Sequence, residues 1–378
     1  MTTTARVLIA ADKFKGSLTA VEVAERITAG IARSRPGTSV EALPVADGGD
    51  GTVAAAVAGG FERHEAEVTG PLGAPVTAAF ALRGELAVVE MAEASGLQLM
   101  PPGVYAPLTA TTRGTGELLL AAVGAGARRV VLGVGGSATT DGGAGMLEAL
   151  GARFLDEDGD PIPHGGGPLV EMVSADLSAL DERLKNVDIV LASDVDNPLT
   201  GPKGAAAVYG PQKGAGEEDV QVLDAALAHF VQVMGESVGP RAAETAEAPG
   251  AGAAGGIGYG ALVGLNATFR PGIEVLLEVL GFDSALERAD LVITGEGSLD
   301  AQTLHGKAPA GVAAAARKAG KPVLAVCGRL DLDSRSLKGA GIERAYALSE
   351  LEKDPSRCMA EAGPLLEKLA ERLAAERL

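Results

Sequence analysis

The chain has 378 residues, 47% of them apolar, which is enough for two or three domains with full cores. Aromatics make up only 3% and tryptophan is absent, so Ala, Val and Leu must do the packing. A formal net charge of −18 with no lysine or arginine cluster excludes a general nucleic-acid binder; an anionic ligand would need local lysines or a metal ion.

Residues 6–11, RVLIAA, read as a buried strand. Residues 19–33 read as a helix, because Thr19 and Glu22 have capping-box spacing and Val23, Ile27 and Ile31 share a face. A strand at 39–45 and a helix at 51–59 follow. Residues 66–95 then hold three strand-like pieces, AEVTG, PVTAAFAL and ELAVVEM, joined by short turns with no helix. Further on come a strand ending at Leu132, a helix opening near Met146, the strand VDIVLA and a helix at 219–235. The βα alternation returns with strands at 289–295 and 321–328 around the helix APAGVAAAARKAG. A strand near 344–348 and a final helix from about 356 close the chain.

Repeated βα units predict a parallel sheet with helices on both faces. Neither end has enough strands for a sheet of its own. The economical fold is one α/β domain built from residues 1–65 and 287–378, with a second, mixed-sheet α/β domain inserted at 66–286. Cys327 and Cys358 are too few for a disulfide framework. The start MTTTARVLIAADKFK has no signal-peptide pattern and no apolar run is long enough to span a bilayer, so a cytoplasmic protein with no membrane partner is expected.

The 53 glycines, about twice the usual share, have no collagen period and cluster in loops. Five loops follow strands: ADKFKGS (11–17), ADGGDGT (46–52), GVGGSATTDGG (133–143), SDVDNPLTGPKG (193–204) and TGEGSLDAQTLHGK (294–307). Taken singly, each is an ordinary turn or cap. Together they hold the parts of phosphoryl transfer, namely backbone amides and lysines for phosphate, carboxylates for Mg²⁺, and a carboxylate to take a hydroxyl proton. Ligands of open α/β sheets also sit at the carboxyl ends of strands, so the loops are expected to meet in a cleft between the domains. Strand alternation puts Asp194 and Asp196 on one side, as a metal pair or as a base and a turn cap. His305, inside the last loop, is a further candidate ligand contact, whereas His229 reads as structural.

One motif points elsewhere. Gly133, Gly135 and Ala138 match G-x-G-x-x-G/A after a strand, with Asp156 at the dinucleotide spacing. An NAD-dependent oxidoreductase of a small hydroxy acid is therefore a competing reading. Against it, the loop runs on into TTDGG and places Asp141 where a pyrophosphate would sit. An anion could lie there only if a metal or a lysine stood between. Two lobes around a cleft also describe solute-binding proteins, but the lysine–carboxylate pairing argues against that class.

The set of motifs resembles the type I glycerate kinase family. The matching segments are IAADKFKGSLTA, LPVADGGDGT, TTRGTGELL, GVGGSATTDGGAGMLEALGARF, DVDNPLTGPKGAAAVYGPQKGA, PGAGAAGGIGYG and ADLVITGEGSLDAQTLHGKAP. The chain departs from the family pattern at Ala11, Lys13, Asp50 and Thr140, where proline, serine, glutamate and asparagine are common. The resemblance implies a flavodoxin-like domain built from both ends, ATP and Mg²⁺ as cofactors, and in-line phosphorylation of D-glycerate to 2-phosphoglycerate, with 3-phosphoglycerate as the other regioisomer. It implies small-molecule partners and a monomer or homodimer. Asp194 is then the base or a metal ligand, and Lys15 meets a phosphate or the substrate carboxylate. Lys13, Ser17, Gly135, Gly136, Ser137, Thr139, Gly255, Gly256, Glu296, Asp300 and Lys307 are the expected substrate and phosphate contacts. Asp47, Asp50, Asp141 and Asp196 are the expected metal or loop-ordering carboxylates.

Overall fold

The computed structural model describes residues 5–304 and 306–378, so the reading of His305 lies outside the described residues. The described strands, in chain order, are β1 (Arg6–Ala11), β2 (Ser39–Ala42), β3 (Glu62–Thr69), β4 (Pro75–Arg83), β5 (Leu86–Glu90), β6 (Arg129–Gly133), β7 (Arg153–Leu155), β8 (Ser174–Asp176), β9 (Asp188–Ala192), β10 (Thr268–Arg270), β11 (Leu291–Leu299), β12 (Val323–Leu330) and β13 (Arg344–Ala347). The chain divides into two compact units. The first is Met1–Asp47, Ala54–Gly60 and Pro271–Leu378; the second is Gly48–Val53 and Phe61–Arg270.

In the first unit the strand order is β13-β12-β11-β1-β2, every neighbouring pair parallel. Read from the other edge and counting only this sheet, that is the flavodoxin-like order 2-1-3-4-5. The two ends of the sequence meet at its centre, where Val7 pairs with Leu291 and Ala11 with Gly295. Such a sheet must be covered on both faces, which explains the unbroken apolar run of β1. Val7, Ile9 and Ala11 enter one core, and Leu8 and Ala10 the other.

Helix Ala20–Ser34 starts on the expected capping box: Thr19 Oγ1 accepts the Glu22 amide and Glu22 accepts the Thr19 amide. This helix packs closely on the last one, Ala362–Arg377, and Gly30 leaves room for the Glu367 carbonyl, which a Cβ would meet at 2.3 Å. The final helix expected from about 356 is broken into Pro355–Ala360 and Ala362–Arg377. Strand β2 is shorter than expected, although the Leu43 and Val45 amides still reach the Ile9 and Ala11 carbonyls.

The second unit carries a six-stranded sheet in the order β10-β9-β6-β5-β4-β3. The pairs from β10 to β5 are parallel, and β5-β4 and β4-β3 are antiparallel. The helix-free stretch therefore forms the antiparallel edge of a mixed sheet. Its core is built from Ala, Val, Leu and Met with Phe80, Phe154, Phe230 and Tyr259. Against the joints expected at 65/66 and 286/287, the units change over at 60/61 and 270/271, with residues 48–53 also going to the second unit. Strand β3 already begins at Glu62, and the helices Gly272–Leu280 and Phe282–Arg288 bury Ile273, Leu277, Phe282 and Leu286 in the first unit's core. Among the described residues no helix is long and apolar enough to cross a membrane.

Candidate functional site

In the first unit the polar residues collect at the carboxyl ends of β1, β2 and β11. Flavodoxin-like sheets reverse their strand order between the equivalents of β1 and β11, which is where such sheets bind ligands. The Asp12 amide continues the ladder by donating to the Gly295 carbonyl at 2.8 Å, which fixes Asp12 beside β11. Its carboxyl is buried and lies well above the usual carboxylate range, first through burial and then through repulsion from Asp47; Lys13 partly offsets this and Glu296 adds to it.

Glu296 is also raised, mainly by burial, and is held in place by two donors. The Thr303 hydroxyl donates to Oε1, and Lys307 Nζ lies 3.5 Å from Oε2. Thr303 Oγ1 in turn accepts the Asp300 amide at 3.1 Å, and Asp300 Oδ1 accepts the Gln302 amide. Lys307 immediately precedes the helix Ala308–Lys318, and its side chain makes no cap hydrogen bond to that helix. The Phe14–Lys15 backbone lies over Gly297, where a Cβ would come within 3.3 Å of the Lys15 amide nitrogen. Lys15 is exposed and Lys13 half-buried. Ser17 closes its own turn, its hydroxyl donating to the Phe14 carbonyl at 3.0 Å.

In the second unit four strand ends form one row, since Glu90 pairs with Gly133, Gly133 with Ala192, and Ala192 with Arg270. Two of the sequence motifs, 133–143 and 193–204, run from this row, and the 48–52 part of a third packs against it. Gly133 and Gly135 let the 48–49 backbone approach, and a Cβ at these positions would meet the Gly48 carbonyl at 2.7 Å and the Gly49 Cα at 2.5 Å. Asp50 stands beside Gly136, which has φ +68° and could carry a Cβ only by displacing that carboxylate. The Gly51 and Val53 amides both donate to Glu90 at 3.0 Å. Burial raises Glu90 to about 7, against the lowering effect of those two amides.

Asp141 lies at the foot of the glycine loop, fully buried. It accepts the Thr112 amide and hydroxyl at 2.9 and 2.8 Å and the Gly143 and Gly145 amides at 3.1 and 3.3 Å. Burial raises its pKa and these four donors oppose the rise. Of its two expected roles, ordering the loop accounts for these bonds. Gly255 and Gly256 are buried against the loop instead of lining its outer side: a Cβ on Gly255 would meet the Thr139 carbonyl at 1.9 Å, and one on Gly256 the Gly142 Cα at 2.7 Å.

Sequence reasoning did not single out the group that completes this loop. Lys213, 1% exposed, donates from Nζ to Ser137 Oγ at 2.6 Å and to the Thr139 carbonyl at 2.5 Å. Burial pushes it down to about 7, and only the attraction of Asp141 works the other way. Lys213 places a cation within the electrostatic reach of Asp141. Glu90 was missed as well. Its signal was a carboxylate ending the apolar strand ELAVVEM; Lys213 showed only as one cation in the turn GPQKGA.

Asp194 follows β9, half-buried, and Asp196 is exposed. Their loop is anchored by Asn197, whose Nδ2 donates to the Lys203 carbonyl at 2.8 Å and whose Oδ1 accepts the Tyr209 hydroxyl at 2.6 Å. The dinucleotide reading loses its geometry. The helix after the glycine loop begins only at Ala144, beyond Asp141, and Asp156 follows a strand of the separate β7-β8 pair instead of the neighbouring strand of the main sheet.

Carboxylates beside lysines at one set of strand ends, and amides, hydroxyls and an ammonium at the other, equip the chain as an α/β kinase of a small molecule. Residues 7–377 match the glycerate kinase family. A glycerate kinase of Bacillus subtilis (strain 168) is 50% identical over 346 residues, covering 91% of this chain and 90% of the relative. A glycerate 2-kinase of Escherichia coli (strain K12) is 44% identical over 347 residues, covering 91% and 90%. A crystal structure from Salmonella typhimurium LT2, described as that of a putative glycerate kinase 2, superimposes with a TM-score of 0.84 at 41% identity, covering 99% of this chain and 98% of the other. The chain belongs to the glycerate kinase family.

Proposed function

We propose that the protein transfers the γ-phosphoryl group of ATP to the 2-hydroxyl of D-glycerate, giving 2-phosphoglycerate and ADP. The observation that carries this is the end-to-end family match on a chain with both polar strand ends in place. The hydroxyl oxygen forms the new bond to phosphorus while the bond from phosphorus to the ADP oxygen breaks. The hydroxyl proton goes to Asp194, the carboxylate at the end of β9. Lys15 meets a phosphate or the glycerate carboxylate, and Glu296, Asp300 and Lys307 order the strand end on the same unit.

Mg²⁺ is commonly held by one or two carboxylates plus phosphate oxygens. The residues fit that mode. Among the described residues no three His, Cys, Asp or Glu side chains are grouped to hold a metal by themselves, while Asp47 lies near enough to Asp12 to raise it. We assign Asp47 as a carboxylate offered to the ion, with Asp50 and the pair Asp194 and Asp196 as the alternatives. When bound, Mg²⁺ offsets negative charge on the phosphates. The two cysteines are unpaired and buried, which favours a reducing compartment, and we place the protein in the cytoplasm as a monomer or homodimer.

The test is ADP release from Mg-ATP with and without D-glycerate, followed by ³¹P NMR of the product. Release that depends on glycerate with a phosphate on C2 is expected. Release that ignores glycerate overturns the acceptor, a phosphate on C3 overturns the regiochemistry, and a glycerate-dependent change in nicotinamide absorbance would restore the oxidoreductase.

A further inference from the structure

Lys213 is the fully buried cation of the glycine loop, and none of the steps above uses it. Its partners are 76 and 74 positions away in sequence, so the fold and not local structure puts it there. Burying an ammonium costs several kcal/mol unless something repays it. Here the repayment is incomplete, with one hydroxyl, one carbonyl and the charge of Asp141, itself occupied by four other donors. The Ala253–Gly256 turn packed against Nζ brings no ionisable group.

The hydrogen-bond directions around Lys213 add to this. Because Lys213 donates to Ser137 Oγ, the lone pair of that hydroxyl is engaged and its own proton is turned away from the ammonium. The Thr139 and Thr140 hydroxyls beside it are buried and have no hydrogen-bond partner. Gly136, between Gly135 and Ser137, is exposed, so the loop opens to ligand at this point. Hydroxyls left unspent around an ammonium are donors waiting for an acceptor of opposite charge.

We propose that Lys213 is a positioning residue for a substrate oxyanion, acting through Ser137: its ammonium charges the 135–140 loop and orients the Ser137 hydroxyl to donate to a phosphate or carboxylate oxygen. This rests on the kinase reading above, which supplies two sources of such an oxyanion, the nucleotide phosphates and the glycerate carboxylate. The role differs from that of Asp141, which shapes the loop, and from Asp194, which takes the proton.

The experiment is calorimetric titration of the wild type and of Lys213→Met with a non-hydrolysable Mg-ATP analogue and, separately, with D-glycerate, alongside a thermal melt. A hydrogen bond to a charged group predicts a loss of about tenfold or more for one of the two ligands, with the other within about twofold. The affected ligand identifies the source. Ser137→Ala should weaken the same ligand by about fivefold with an unchanged melt, and it decides the matter if Lys213→Met does not fold. Affinities for both ligands unchanged, or weakened equally, overturn the role of Lys213 while leaving the kinase reading intact. A wild type that binds neither ligand overturns the kinase reading and this proposal with it.

Discussion

The two units present opposite chemistry at their strand ends. The parallel sheet of the first unit ends in carboxylates: Asp47 and Glu296 both repel Asp12, which Lys13 offsets in part, and Lys307 opposes the effect of burial on Glu296. The mixed sheet of the second also carries Glu90, Asp50 and Asp194 near its strand ends, but its glycine loop sets amides and hydroxyls over a buried ammonium, with the loop's own carboxylate, Asp141, spent on backbone and hydroxyl donors. The same βα geometry thus yields a cation-seeking end and an anion-seeking end, and which one forms depends on what stands in the first turn after the strand. A kinase needs carboxylates for metal and proton and amides or cations for phosphate, and here the proposed base, Asp194, stands on the second unit with the anion-seeking loop.

The largest effect that would break this division is removal of the metal. A protein of net charge −18 meets a nucleotide of about −4, and only local cations can offset the repulsion. Activity should vanish in excess EDTA and return with Mg²⁺ or Mn²⁺, as read by ADP release; full activity in the chelator would mean that the carboxylate end serves no metal. Next in size is Asp194→Asn, which keeps the shape and removes the charge. It should lower kcat by about 10²–10⁴ with little change in melting temperature. A near-normal kcat would move the base to Asp47 or Asp300.

Glycine tightness separates the two strand-end loops at a smaller scale. Gly255 has φ +73° and a Cβ there would press on the Thr139 carbonyl, so Gly255→Ala should cost about 3 kcal/mol or more. Gly297, where a Cβ meets the Lys15 amide nitrogen at 3.3 Å, should tolerate alanine for about 1 kcal/mol. Urea midpoints of the two variants measure the contrast, and equal costs would dissolve it.

The smallest expected effect is in the pH dependence of the ligand-free protein. Glu90, raised from 4.5 to about 7, binds a proton in the folded state that the unfolded chain has already lost, so the second unit should lose stability as pH rises from 4.5 to 7. Lys213, lowered from 10.5 to about 7, has the opposite sign: the unfolded chain holds the extra proton, and stability should rise from pH 7 towards 10.5. Each changes stability by at most about 1.4 kcal/mol per pH unit across its window. Amide exchange read separately in the two cores should show a shallow minimum near neutral pH in the second. Asp12, raised by burial, gives the first unit only the falling limb. A monotonic second unit would mean that Lys213 stays charged without ligand.

The sequence by itself determined the elements and the class. Helix Ala20–Ser34 was legible because its capping box is a spacing of three residues, and β1, β6, β9 and β11 because apolar runs are bounded by glycine and carboxylate turns. Two sheets followed from counting strands, since neither end could make one alone. The motifs marked both strand ends, because loops that must approach a ligand or another backbone give up their side chains.

Tertiary structure decided which polar groups are spent and which are available. Asp141 looked like a metal ligand until Thr112, 29 positions away, and the Gly143 and Gly145 amides took its oxygens. Gly255 and Gly256 looked like ligand contacts, but they make room for the loop's own backbone. Lys213 and Glu90 were not singled out at all. Their burial comes from residues far away in the chain, and desolvation depends on what surrounds a group in space, which no local pattern of residues encodes.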